Sequence, residues 1–316
     1  MKRLFLPLIA MLLSVNVAFA QDEAEAPASN WTHGGNVGFN LAQSHFDNWS
    51  AGGQDNINFL GLAKYEINFK KDSHKWDNSI DLQLGYSYFD LDKKPVKTDD
   101  RIFLNSLYGY NLMDDKLYAT ANFTFQSQFT NGYDYANDST ERISGFMAPG
   151  YITLGLGAQW VPNEYFKINV APITGRLTIV NDQKLADAGA FGVKKAETDT
   201  LGNITKHGEK TRWELGAQVT AEFTYKLTDV ITYNMKVIAF YDYLGGKENA
   251  LGESYTCPVD FDWDNTLIMK INDWLSCNIT ARLVYDEDVK PLKGLNGYTF
   301  RQFKEVLSLG ISYKIP

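Results

Sequence analysis

The chain has 316 residues, of which 44% are hydrophobic, 14% aromatic and 22% charged. This hydrophobic share excludes an intrinsically disordered chain, because it supplies ample apolar surface to bury. A formal net charge of -8 argues against a nucleic-acid partner, since sequence-independent binding of phosphate requires a basic face.

Residues 1–20 have the pattern of a secretory signal peptide. Lys2 and Arg3 form the positive n-region, and the apolar h-region runs from Leu4 to Val17. Ala18-Phe19-Ala20 then supplies a cleavage site of small residues. The mature chain is therefore expected to be exported.

Residues 21–30 are rich in Ala, Asp and Glu and are expected to form a disordered leader. From residue 31 to residue 316, apolar and polar residues alternate with a period of two, which is typical of strands with one apolar face. No stretch in this region is apolar for long enough to predict a membrane helix. About twelve strands are predicted, at residues 31–42, 54–69, 76–90, 100–112, 117–130, 149–160, 165–180, 211–225, 231–244, 258–271, 274–287 and 299–315.

Short turns and long polar loops alternate between these strands, which is the connectivity of an outer-membrane barrel. Strands of ~13 residues exceed the usual globular length of about 5 to 6 residues. With some overhang, they match the ~9 to 11 residues that a tilted strand needs to cross a bilayer. Aromatic residues near the short turns predict an interfacial girdle, formed by Trp76, Trp160, Tyr165, Phe166, Tyr225 and Trp274. The predicted fold class is all-β, a transmembrane antiparallel β-barrel of about 12 strands over residues 31–316, with a soluble barrel or sandwich as the alternative.

The two cysteines first suggest a disulfide in an exported protein. The predicted hairpin about Asn272 and Asp273 places Cys277 near the short turn and Cys257 at the loop end of the preceding strand. At ~3.3 Å per residue they lie too far apart to bond, so both are expected to be free thiols.

The segment from Trp31 to Gly53 combines Trp31, Gly34-Gly35, Asn40, Gln43, Asn48-Trp49 and Gly52-Gly53. Later motifs are His74-Lys75-Trp76-Asp77-Asn78, Lys97-Thr98-Asp99-Asp100, the run from Pro172 to Asp182 and the run from Leu185 to Val193. Together they resemble the outer-membrane β-barrel family of Bacteroides-type bacteria known as domain of unknown function 3078. The resemblance implies a barrel in the outer membrane. It implies no activity, so no functional residue is carried over.

Asp260, Asp262 and Asp264 have the spacing of the first ligands of a calcium loop. Asn265 stands where that loop needs Gly and Ile271 where it needs Glu, so a calcium loop is not predicted. On a strand, the three carboxylates instead point into the lumen, one above another. They are expected to pair with basic residues there, and a weak cation site is the alternative.

Charged residues on the polar face of the strands are expected to line the lumen, because a dry core would not tolerate them. The basic ones are Lys64, Arg101, Lys167, Lys236, Lys270, Arg282, Lys304 and Lys314, and the acidic ones are Glu66, Asp77, Asp81, Glu214, Glu222, Asp242, Asp260, Asp262, Asp264 and Asp286. The candidates for binding a solute are Asp260, Asp262, Asp264, Arg282, Lys270, Glu214 and Glu222. Twelve strands lie between filled eight-stranded and open sixteen-stranded barrels, so a narrow or plugged pore is expected. No metal and no cofactor are predicted.

The connection over residues 181–210 is the longest loop, and a loop of this length is usually functional or mobile. Its first half is small and apolar, with Leu185, Ala190 and Phe191 as candidate residues of a plug. This half is expected to fold into the lumen with Phe191 against the barrel wall. The alternative is an exposed lid or partner site.

The predicted function is a non-enzymatic channel or porin-like barrel for small polar solutes. One alternative is an outer-membrane hydrolase that uses Ser44 and His45, although no Gly-x-Ser-x-Gly motif is present. The other is a structural or partner-binding barrel. The expected partners are outer-membrane lipid, lipopolysaccharide and the barrel-assembly machinery, and the barrel is expected to be monomeric.

Overall fold

The computed structural model describes residues 29–44, 56–89, 94–135, 138–245, 254, 257–287, 292–294 and 297–315. The predicted signal peptide and residues 21–28 of the predicted leader lie outside this set. In the part of the chain that is described, no helix has the length and apolar character needed to cross a membrane.

The described residues form eighteen strands and two short helices. In chain order these are β1 (Trp31–Ser44), β2 (Asn56–Lys71), β3 (His74–Tyr88), β4 (Val96–Met113), β5 (Leu117–Ser127), β6 (Gly132–Asp134), β7 (Asp138–Ser144), β8 (Gly150–Trp160), β9 (Phe166–Ile179), α1 (Gln183–Asp187), a 3-10 turn (Ala190–Gly192), β10 (Glu197–Thr198), β11 (Ile204–Lys206), β12 (Thr211–Lys226), β13 (Ile231–Asp242), β14 (Val259–Lys270), β15 (Leu275–Tyr285), β16 (Leu292–Gly294), β17 (Gly297–Thr299) and β18 (Arg301–Ile315).

Twelve long strands close into one antiparallel barrel, in the order β1-β2-β3-β4-β5-β8-β9-β12-β13-β14-β15-β18 and back to β1. The closing pair runs from Gly35 opposite Ile315 to Asn40 opposite Gly310. The predicted all-β fold, a closed antiparallel barrel of about twelve strands, is confirmed. The other six strands form three small hairpins in the long connections, which the sequence pattern did not predict.

Aromatic side chains form a row around the barrel next to the short turns. The strand register sets Trp31 opposite Phe69, Phe69 opposite Trp76 and Trp76 opposite Tyr108, all on the outer face. Neighbouring rings touch, with centroids 5.0 Å apart for Trp31 and Phe69. Of the six predicted girdle residues, five are exposed outer-face or turn residues, namely Trp76, Trp160, Tyr165, Tyr225 and Trp274. This row lies at one edge of the apolar outer surface, as expected for a membrane interface.

A β-bulge in β9 reverses the side-chain alternation of that strand. Ala171 pairs with Gln218 and Thr174 pairs with Gly216. Two residues of β9 therefore lie between these pairs, whereas β12 has only one residue there. The extra residue falls at Pro172, which has no N–H to donate and is therefore tolerated in a bulge. As a result, residues after the bulge face the side opposite to the one that uninterrupted alternation predicts.

The two cysteines are free thiols, as predicted. Cys277 lies in β15 opposite Met269 on the outer face. Cys257 precedes β14 at the loop end, where its backbone N–H donates to the Glu287 carboxylate at 2.8 Å.

A charged substitution at Leu154 tests whether the outer face of β8 contacts the membrane. It lies near the middle of β8 and is 61% exposed, so a charge there would enter hydrocarbon. We expect Leu154→Arg to destabilise the barrel by about 2–4 kcal/mol, measured by denaturant unfolding in lipid vesicles. Leu201→Arg is the matched control, because Leu201 is 85% exposed at a hairpin turn, and it should change stability by less than about 0.5 kcal/mol. Equal effects at both positions would contradict a membrane-facing β8.

An alanine substitution at Gly157 tests how tightly the backbones of β8 and β9 pack at the bulge. A Cβ atom at Gly157 would overlap the carbonyl oxygen of Val170, whereas one at Gly175 would meet nothing within 4 Å. We therefore expect Gly157→Ala to lower the free energy of unfolding by about 1–3 kcal/mol. Gly175→Ala should leave it nearly unchanged, and a Gly157→Ala barrel of full stability would show that the bulge is not held this tightly.

Candidate functional site

The barrel lumen is lined by charged side chains in several layers along the barrel axis. Three layers follow one another from the loop end of the barrel to the short turns. The strand register sets Asp262 opposite Ile238 and Asp264 opposite Lys236. Ile238 and Lys236 line a cavity in the lumen, so these two aspartates lie on the inner face of the barrel.

The loop-end layer is built around Arg176. Its guanidinium donates to both carboxylate oxygens of Glu214, with the Nε–Oε2 distance at 2.8 Å, and to Asp260 at 2.5 Å. The guanidinium also stacks on Phe240, 4.1 Å from the ring centroid. Arg212 approaches Glu214 at 3.1 Å from a second side. The Glu214 side chain is only 1% exposed, and both arginines lie within ion-pair distance of its carboxylate.

The middle layer pairs two further aspartates with arginines. Arg282 makes a bidentate contact with Asp262, at 2.9 and 2.7 Å. Arg101 reaches Asp264 at 3.6 Å. Because Arg101 lies on β4 and Asp264 on β14, which face each other across the closed barrel, this ion pair spans the lumen.

The layer nearest the turns is formed by two lysines that share one acid. Lys167 and Lys236 contact the carboxylate of Glu222 at 2.8 and 3.2 Å. The ammonium of Lys236 also lies 5.2 Å from the ring centroid of Phe103 on the opposite side of the barrel, and Arg101 stacks on the same ring at 4.7 Å. Phe103 therefore joins the middle layer to this one.

Each of Asp260, Asp262 and Asp264 thus has an arginine partner, as the pairing interpretation predicts. The alternative of a cation site gains no support, because within the described residues no group of three or more His, Cys, Asp or Glu side chains could hold a metal ion. Lys270 lies exposed at the turn end of β14 and joins no ion pair in the described part of the lumen.

Arg176 is the central lumen residue that the alternation pattern missed. Lys167, Asn169 and Ala171 face inward at odd positions of β9, and the same parity would send Arg176 to lipid. The bulge at Pro172 reverses the parity and turns Arg176 inward, opposite Glu214. Pro172 within a strand pattern was the available signal, since proline in a barrel strand marks a bulge.

The paired charges leave two spaces in the lumen. A cavity of about 60 Å³ lies beside the Lys167–Glu222–Lys236 group. A wider vestibule of about 500 Å³ opens at the turn end of β1, β2 and β18. Its charged lining residues are Lys64, Glu66 and Lys314, and Lys64 pairs with Glu66 at 2.6 Å.

The predicted plug residues lie in a small apolar cluster at the loop end. Leu185 and Phe191 pack against Ala148, Val180, Ala186 and Val193, and Ala190 opens the 3-10 turn between them. The loop is tied to its own base, since the backbone N–H of Val180 donates to Lys210 at 2.7 Å. These contacts account for the partial burial of Phe191, and none of them requires the side chain to contact the lumen wall. The insertion of this loop into the pore stays a prediction.

The Ser44–His45 pair lies at the edge of the described chain, and His45 lies outside it. The other histidines are on separate segments. His33 Nδ1 lies 3.2 Å from the Tyr65 hydroxyl and His74 Nδ1 lies 2.6 Å from the Tyr108 hydroxyl, both at the aromatic row. No contact among the described residues therefore supports the hydrolase alternative.

Asp187 fixes the second half of the long loop to the first. The Gln183 side chain and the backbone N–H of Gly208 each donate to Asp187 Oδ1 at 2.8 Å, and His207 Nδ1 lies 3.0 Å from Oδ2. These contacts, the Gln183 hydrogen bond first and the Gly208 hydrogen bond second, hold the pKa of Asp187 below its ordinary value.

Because the pKa of Asp187 is lower in the folded loop, its contacts are fully present above the ordinary carboxyl pKa and are lost as the pH falls through the lowered value. We expect hydrogen exchange at the Gly208 amide, corrected for intrinsic rate, to be pH-independent from about pH 7 to about pH 5 and to speed up below about pH 4. Asp187→Asn removes the titrating group and should abolish this dependence. The same pH profile in the variant would assign it to another group.

The family model described as "Protein of unknown function (DUF3078)" matches residues 41–133, which include the whole of β2 to β5. No curated protein matches the sequence.

Among solved structures, an outer membrane channel from Pseudomonas putida F1 aligns over 93% of this chain and 99% of its own, at 10% identity and a TM-score of 0.39. The translocator domain of the autotransporter NalP from Neisseria meningitidis aligns over 92% and 90%, at 12% identity and a TM-score of 0.36. A FadL homologue from Pseudomonas aeruginosa aligns over 90% and 74%, at 13% identity and a TM-score of 0.31. At these identities and scores the alignments carry no argument about function.

Proposed function

We propose that the protein is a narrow channel of the outer membrane that admits small polar solutes. An even number of antiparallel strands, short turns at one end and long loops at the other support this location, with the turns in the periplasm and the loops outside. In this arrangement the monomeric barrel contacts lipid and lipopolysaccharide with its outer face. The barrel-assembly machinery inserts it.

The observation that carries the proposal is the bridging of the lumen by paired charges. Arg101 on β4 reaches Asp264 on β14, and Lys236 on β13 reaches the ring of Phe103 on β4. Lys304 on β18 likewise contacts Asp99 on β4. Contacts between strands on different sides of the barrel leave room only for solutes that can pass between charged and amide groups.

The chemistry of the lining favours polar solutes with little net charge. Basic and acidic side chains occur together in each layer, so the local charges largely cancel and attract neither sign of ion strongly. Hydrogen-bonding side chains between the layers can replace part of the water that a solute loses on entry. An apolar solute would form no hydrogen bonds with such a lining, and a large solute would not fit between the paired charges.

Conductance of the purified barrel in a planar bilayer tests the proposal. Wild-type protein should show small steps with weak ion selectivity. Arg101→Ser removes one of the contacts that span the lumen and deletes one positive charge, so single-channel conductance should rise several-fold and shift toward cations. A wild-type barrel that conducts no ions, together with an Arg101→Ser barrel that is equally silent, would overturn the channel.

Arg142→Ser is the matched control for this experiment. Arg142 lies in the β6–β7 hairpin outside the barrel sheet, is half-exposed, and contacts Asp182 at the start of the long connection. If lumen pairs set the pore width, conductance of this variant should stay at the wild-type level. An increase in Arg142→Ser equal to that in Arg101→Ser would instead indicate that the loop plugs the pore.

A further inference from the structure

The cavity beside the Lys167–Glu222–Lys236 group is walled mainly by neutral hydrogen-bonding side chains. Its amides and hydroxyls come from β4, β5, β8, β9 and β12, which are consecutive in the barrel, so they line one continuous side of the space. They belong to Asn105, Asn122, Thr124, Gln159, Asn169, Gln218 and Thr220. Phe103 and two aliphatic side chains complete the wall.

One of these amides has a buried oxygen that no described group satisfies. Asn122 is 8% exposed, and its Oδ1 atom accepts no hydrogen bond within the described structure. The cause is local, because its cross-strand neighbours on β4 and β8 are Leu107 and Gly155. Neither residue has a side chain that can donate. Asn122 lines the cavity, and its buried Oδ1 atom has no protein donor among the described residues.

Other amides in the same wall have partners inside the protein. The Thr120 hydroxyl donates to Asn169 Oδ1 at 2.7 Å. Gln218 Nε2 lies 3.4 Å from the Thr220 hydroxyl. A buried acceptor without a hydrogen bond costs free energy. A donor group of a bound molecule would therefore satisfy Asn122 Oδ1.

The charged groups at the cavity are already paired. Lys167 and Lys236 contact Glu222, and Asp77 contacts Lys75 at 2.8 Å. An ion or a zwitterion would have to displace one of these partners. A neutral molecule with hydroxyl donors would not, because it can donate to Asn122 and accept from the neighbouring amides.

The cavity of about 60 Å³ has room for about four water-sized groups. That size excludes a disaccharide and fits a molecule with a three-carbon backbone. We propose that this cavity is a binding site for a small neutral polyol of glycerol size, held by a hydrogen bond to Asn122 Oδ1. The inference rests on the proposed function, since it names the class of solute that the channel would take.

Glycerol is the probe. Full-length protein is reconstituted into vesicles, and swelling in a glycerol gradient is recorded after subtraction of the flux through protein-free vesicles. Asn122→Leu removes the acceptor at nearly constant volume, so glycerol flux should fall about three- to tenfold, the range for loss of one neutral hydrogen bond. Asn122→Thr retains a hydroxyl acceptor and should restore most of the flux.

Asn278→Leu is the matched control, because Asn278 is an inward-facing amide on β15 whose Nδ2 already donates to Ser276 at 3.1 Å. It lies outside the cavity wall and should leave glycerol flux unchanged. Ion conductance of the Asn122→Leu barrel should also stay within about twofold of wild type, which a merely narrowed pore would not allow. Loss of ion conductance and glycerol flux by the same factor, or unchanged glycerol flux, would overturn the polyol site while leaving the channel intact.

Failure of the channel itself gives a different result. If wild-type vesicles pass neither ions nor glycerol, binding is measured by saturation-transfer NMR with glycerol and detergent-solubilised barrel. A signal that Asn122→Leu abolishes and Asn278→Leu retains would support a binding site in a barrel that is not a channel. The absence of a wild-type signal would overturn the site and leave water as the occupant of the cavity.

Discussion

Closure of the backbone hydrogen-bond ladder is the constraint on which the rest of this structure depends. A sheet in a bilayer has no water to satisfy an open edge, so β1 must pair with β18 as well as with β2. Once the ladder is closed, each side chain has only two directions available, toward lipid or toward the lumen. The apolar outer surface and the charged interior are both consequences of this division.

Charged side chains can occupy the interior because, in the three layers of the lumen, they have partners on other strands. A buried ion pair gains little net free energy, since desolvation offsets the attraction between the charges. Here Arg176 and Arg101 add a second contribution by stacking on Phe240 and Phe103. The two inward-facing phenylalanines thus hold guanidinium groups in place and narrow the lumen at the same time.

The lumen has two kinds of wall along its axis. Toward the loop end, arginine and aspartate pairs fill the space and connect strands that are not neighbours. Beside the Lys167–Glu222–Lys236 group, amides predominate and a cavity remains. Gly155 contributes to this difference, because it places no side chain beside Asn122. A charge layer above an amide-lined space gives the lumen one part that restricts passage and one part that can hold a neutral molecule.

The sequence by itself determined the class of fold, the number of strands and most of the inward-facing charges. These features follow from local alternation and from the lengths of the connections, which closure of the barrel leaves unchanged. Asp262 and Asp264 therefore lie in the lumen as predicted, and the aromatic row lies next to the short turns.

The tertiary structure decided which charges meet. Arg176 enters the lumen only because the bulge at Pro172 shifts β9 by one residue, and a shift of one residue reverses the face of every side chain beyond it. Arg101 meets Asp264 across the barrel, a contact set by the number of strands between β4 and β14. The unpaired oxygen of Asn122 depends in the same way on its neighbours in the closed sheet. Contacts between strands distant in sequence leave no local pattern, so only the closed barrel reveals them.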